Sequence, residues 1–110
     1  MHKITGSDIT LTRGDSLILN LQLTKNGEPF TPENGSSIRF AMKRRYTDPD
    51  EDVILVKTIP IDTLLLEIEP EDTKNLDMNR TYVYDIQLTD PSGRVDTFLS
   101  GKLTIGEEVL

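Results

Sequence analysis

The chain has 110 residues, 35% hydrophobic and 28% charged, with 19 acidic against 12 basic side chains and a formal net charge of −7. That length supports one domain around one core, and the absence of Cys excludes disulfides, thiolate metal sites and cysteine nucleophiles. The acidic balance argues against nucleic acid, whose binding rests on neutralised phosphates, and no apolar run approaches the ~20 residues that span a bilayer.

The N-terminus, MHKITGSDIT, has no apolar stretch of the kind a signal peptide or membrane anchor needs. Synthesis in the cytoplasm without a leader is therefore expected. DITLT, residues 8–12, reads as a first strand, followed by Arg13-Gly14-Asp15, the tripeptide that integrins recognise on extracellular ligands. Such ligands carry it on a protruding loop, whereas here it sits in a short gap before the next strand. Gly14 supplies a positive φ, Asp15 is a turn former and Ser16 can bond locally. The tripeptide is expected to be a tight turn.

LILNLQLT, residues 17–24, sets Leu17, Leu19, Leu21 and Leu23 on one face and Ile18, Asn20, Gln22 and Thr24 on the other. That alternation predicts a half-buried strand. Asn26-Gly27 then gives a strong two-residue hairpin signal. In SIRFAMK, Ile38, Phe40 and Met42 alternate with Arg39, Ala41 and Lys43. Lys43, Arg44 and Arg45 form a basic cluster with Arg39, and Asp48, Asp50, Glu51 and Asp52 follow at once. A self-screened, solvated hairpin tip is the expected outcome. An EF-hand numbered from Asp48 would need Gly at position six and Glu at position twelve, where Val53 and Ile59 stand. Calcium held between sandwich loops without that motif stays an open alternative.

VILVKTI follows, and then LLLEIE, with Leu64, Leu66 and Ile68 against Leu65, Glu67 and Glu69. Pro70 to Leu76 suits a single helical turn, with Pro at its first position and Glu71 and Asp72 in its first turn. TYVYDIQLT places Tyr82, Tyr84, Ile86 and Leu88 inward. Tyr82, near the start of a late strand after a crossover, fits the tyrosine corner of immunoglobulin-type sandwiches, where a phenol bonds back to the preceding chain. Asp90-Pro91-Ser92-Gly93 reads as a type I turn. VDTFLSGKLTI ends the pattern, with Leu99, Leu103 and Ile105 on one parity and Gly101 in their row as an expected bend or bulge.

Catalytic chemistry finds no constellation. The one His is His2 at the terminus, and Glu67 and Glu69 share one strand face where a glycosidase pair would face across a cleft. No phosphate-binding Gly loop and no His/Cys metal set occur. Neither an enzyme nor a cofactor is expected. Four apolar residues, Ile18, Leu65, Val83 and Phe98, break the polar parity of their strands. Paired across neighbouring strands they would form a docking or self-association patch, the alternative being ordinary surface packing. The expected fold is all-β, an immunoglobulin-like antiparallel β-sandwich of seven or eight strands with one short helical crossover, forming a single domain over residues 1–110.

The order of these segments resembles the small immunoglobulin-like domain of phages and prophages of Gram-positive bacteria, similar to the N-terminal domain of the phage baseplate upper protein family. The family opens on a strand ending in Arg-Gly-Asp, here Arg13, Gly14 and Asp15. A Pro-Glu-Asp-Thr turn, here Pro70 to Thr73, precedes a Tyr-x-Tyr-Asp strand, here Tyr82, Tyr84 and Asp85. A Gly-bearing hairpin and a last strand with an internal Gly follow, here Gly93 and Gly101. The resemblance implies a non-enzymatic tail or baseplate structural module in the virion. Its partners would be other phage tail or baseplate proteins or further copies of itself, with neither nucleic acid nor membrane involved. Longer family members carry shaft and receptor-binding regions beyond this domain. The alternative is a carbohydrate- or cell-surface-binding sandwich, for which Tyr46 is the aromatic free to stack, in a chain with no Trp.

Overall fold

Alternating sequence becomes strand wherever a neighbour can accept the backbone ladder. The computed structural model describes residues 2–5, 8–25 and 27–107. The described residues form ten strands: β1 (His2–Thr5), β2 (Asp8–Thr12), β3 (Leu17–Asn20), β4 (Thr24–Lys25), β5 (Glu28–Pro29), β6 (Ser37–Lys43), β7 (Leu55–Ile59), β8 (Leu65–Ile68), β9 (Arg80–Thr89) and β10 (Val95–Gly106). A 3₁₀ turn spans Asp50–Asp52, and one helical turn, α1 (Pro70–Thr73), links β8 to β9. No helix among the described residues is long and apolar enough to cross a membrane.

The strands form a six-stranded sheet in the order β1-β2-β10-β9-β6-β7, a pair β3-β8 and a small ribbon β4-β5. The fold is an all-β sandwich. Its long late hairpin β9–β10 sits inside the larger sheet, and β3 and β8 cross to the other layer, the division found in immunoglobulin sandwiches. One pair departs from the antiparallel expectation: β2 runs parallel to β10, with Leu103 opposite Ile9 and Gly106 opposite Thr12. Most of the chain separates the two, far more than the dozen or so residues that a connection between parallel neighbours needs.

Between the layers lies one cluster of buried side chains. Leu17, Leu66 and Ile68 of the smaller layer meet Ile38, Phe40, Met42, Tyr82, Tyr84, Ile86 and Leu103 of the larger, and Ile9, Leu11 and Ile105 extend it toward the β2 edge. Phe40 and Tyr84 stack with ring centroids 5.4 Å apart.

The strand expected over residues 17–24 stops at Asn20. Its partner β8 runs out first: Leu64 takes a positive φ of 56° and turns its own N–H to the Pro60 carbonyl. Leu21 still donates to the Leu64 carbonyl (2.8 Å), after which the chain peels into the β4–β5 ribbon, where Phe30 donates to the Leu23 carbonyl. Asn26 lies outside the described residues; Gly27 beside it has φ +79°, and Lys25 pairs with Glu28. The irregularity of β10 falls between Thr97 and Leu99, and Gly101 stands in register opposite Tyr84. The bulge therefore lies at Phe98, three residues before its expected place.

Candidate functional site

Three segments distant in sequence meet at one end of the sandwich. The β2–β3 connection is a tight turn: Asp15 N–H donates to the Thr12 carbonyl (3.0 Å), and Gly14 sits at φ 83°. The Gly14 N–H donates to Thr73 Oγ1 at 2.8 Å, and the Arg13 guanidinium donates to the Leu76 carbonyl at 3.3 Å. Arg13 N–H reaches the Gly106 carbonyl at 3.1 Å. Arg13, Gly14 and Asp15 are half-buried, so the tripeptide is folded onto α1 and does not protrude. Thr73 is buried to 1% exposure, and its hydroxyl also donates to the Pro70 carbonyl at 3.4 Å.

Tyr82 closes the same junction. It is buried at the start of β9, and its hydroxyl accepts the Asp77 N–H at 3.2 Å. The Arg80 guanidinium stands over its ring, 5.9 Å from the centroid, and donates to Asp77 at 3.3 Å. Nothing local in the sequence marks Thr73 for this work, because Gly14, its donor, is 59 residues away.

The four outward apolar residues do not converge. Ile18, 62% exposed, faces out from the smaller layer opposite Glu67, with Leu65 opposite Asn20 as its diagonal neighbour. Val83 faces out from the larger sheet, between Lys43 on β6 and Lys102 on β10. The sandwich itself separates these two faces. Phe98 turns inward, packing on the core and stacking on Phe30 with centroids 5.7 Å apart. The bulge at its position resets the parity of β10, which strict alternation does not anticipate.

The outer face of the larger sheet holds a shallow hollow lined by Ala41, Lys43, Tyr46, Val83, Tyr84 and Asp85. Tyr46 is 63% exposed there. An adjoining hollow brings Arg39, Val56 and Gln87 beside the same strands. Part of the basic cluster is spent locally: Lys43 Nζ pairs with Asp50 at 2.6 Å and donates to the Asp48 carbonyl. That ammonium, by hydrogen bond and charge, holds the Asp50 carboxyl below its usual range. Among the described residues no three His, Cys, Asp or Glu side chains are grouped to hold a metal ion.

Glu67 and Glu69 border a groove between β7 and β8 with Lys57 and Leu65. Lys57 is committed to Asp72 at 2.7 Å, and Asp72 also accepts the Glu69 N–H at 2.8 Å. These polar groups hold α1 in place. A scan against protein-family models finds no match, and searches of curated proteins and of solved structures find none either.

Proposed function

We propose that the chain is a non-enzymatic structural module of a phage or prophage tail or baseplate, acting through protein–protein contacts within the virion. One observation carries the reading. The segments on which the resemblance rests, the Arg-Gly-Asp turn, the Pro-Glu-Asp-Thr helix and the Tyr-x-Tyr-Asp strand, interlock at a single junction through Gly14–Thr73, Arg13–Leu76 and Tyr82–Asp77. Segments that co-operate in this way form one structural unit, as a shared fold requires. The open face of the larger sheet, with Ala41, Val56, Val83 and Tyr46 set among Arg39, Lys43 and Lys102, offers the mixture of apolar centre and charged rim that protein interfaces use.

The test is composition of the particle. Virions released by inducing the bacterium that carries the gene, purified and analysed by mass spectrometry, should contain the chain in fixed proportion to tail proteins. Its absence from tailed particles that are otherwise complete overturns the reading. A second reading, carbohydrate binding, is favoured by Tyr46 alone, an exposed ring beside Lys43 and Asp85. Specific glycan-array signals abolished by Tyr46→Ala would establish it.

A further inference from the structure

The smaller layer is two strands wide, and among the described residues β8 is the only strand beside β3. Leu21 donates to the Leu64 carbonyl, continuing the register in which Leu19 faces Leu66 and Leu17 faces Ile68. In an antiparallel ladder the residues between such bonded positions turn their N–H and C=O groups the other way. The backbone groups of Ile18 and Asn20 therefore point out of the sheet along an open edge. Ile18 adds a side chain 62% exposed on the outer face.

Natural edges are guarded by Lys, Pro, bulges or inward charges. This one is not. Ser16 to Thr24 contains no charged residue and no Pro, and is the longest uncharged run in the chain. The opposite edge of the sandwich, β7, carries Lys57. Two copies of a chain with net charge −7 repel one another over most of their surfaces, and β3 is where they can approach without opposing charges.

We infer that β3 pairs antiparallel with β3 of a second copy across a two-fold axis, joining the smaller layers into one continuous sheet of four strands. The register sets Ile18 opposite the second copy's Ile18 and Asn20 opposite the second copy's Ser16. Such a contact is isologous and closes at the dimer. Ile18 exchanges its outward N–H and C=O with its counterpart, and the two side chains bury each other. Glu67, the nearest charge on that face, would stand three strand spacings, about 14 Å, from its equivalent. That is beyond the ~8 Å over which salt leaves exposed charges interacting. The inference rests on the reading of the chain as a protein–protein contact module and names one of its partners.

Light scattering on a sizing column over a range of concentrations should show the dimer fraction rising with concentration. Ile18→Lys, at an exposed site, should keep the native far-ultraviolet circular dichroism spectrum while weakening dimerisation at least about tenfold. Ile18→Cys supplies the only thiol in the chain, and facing strands hold paired Cα atoms about 5.5 Å apart, within disulfide reach. Mild oxidation should link it into covalent dimers, while Val56→Cys on the opposite face should stay monomeric. A monomer at every concentration, a dimer indifferent to Ile18→Lys, or equal linking by both cysteine variants overturns the pairing. A strictly monomeric chain found in purified tails overturns the pairing alone. A dimer absent from such particles supports the pairing and overturns the tail reading.

Discussion

Thr73 ties the β2–β3 turn to α1 from a buried position. It is the one buried polar residue identified among the described residues, and it satisfies the Gly14 N–H that would otherwise be left without a partner in a half-buried turn. Thr73→Val keeps the shape and removes the acceptor, so urea unfolding should show a loss of about 1–3 kcal/mol. Gly14→Ala should cost about 1–2 kcal/mol, because φ 83° is left-handed backbone that a Cβ disfavours. The two losses should fall short of additive, since each weakens the same contact. Tyr82→Phe removes only the acceptor for Asp77 N–H, an expected loss of about 1 kcal/mol. The turn was legible in Arg13-Gly14-Asp15, since Gly and Asp specify a bend locally. Its docking on α1 was not, because the acceptors at Thr73 and Leu76 are local to nothing near it in sequence.

At the scale of elements, the short helix is held from both sides. Asp72 accepts the Glu69 N–H and pairs with Lys57, with its side chain only 14% exposed. Asp72→Ala should destabilise the fold by about 1–2 kcal/mol, the range of a lost cap, measured by thermal unfolding. The β9–β10 turn is organised by Asp90, whose carboxylate accepts from the Ser92 hydroxyl at 2.7 Å and from the Ser92 and Arg94 amides. The Ser92 hydroxyl, followed by the Arg94 amide, holds the Asp90 carboxyl below its usual 3.8. A lowered folded pKa gives stability that is present above 3.8 and lost as pH falls through the lower value. An NMR titration should therefore place the Asp90 midpoint below 3.8. Asp-Pro-Ser-Gly announced this turn; the end of β3 at Asn20 and the Phe98 bulge went unannounced. Both depend on what a partner strand does, and alternation within one strand carries no record of its neighbour.

For the molecule as a whole, the core sets behaviour at high pH. Tyr84 is buried to 2% exposure, and burial first, with Asp8 and Tyr46 adding to it, pushes its phenol from 10.0 up to about 12. A raised acid pKa in the folded state means that the unfolded chain ionises first. The stability that this group contributes is fully present below pH 10 and is lost as pH rises toward 12. Circular dichroism melts across that interval should fall steeply for the native chain and less steeply for Tyr84→Phe. The same burial makes Leu11→Ala, at 0% exposure, an expected loss of about 2–5 kcal/mol.

The inward rows of β6, β8 and β9 were fixed by composition and alternation alone, because period-two burial is a local property of a pleated strand. The sandwich class followed from them. Three features came only from the tertiary structure: the parallel union of β2 with β10, the separation of Ile18 and Leu65 from Val83 onto opposite faces, and the inward turn of Phe98. Each depends on which strand lies beside which, and that choice is made by the core as a whole, through contacts between residues far apart along the chain.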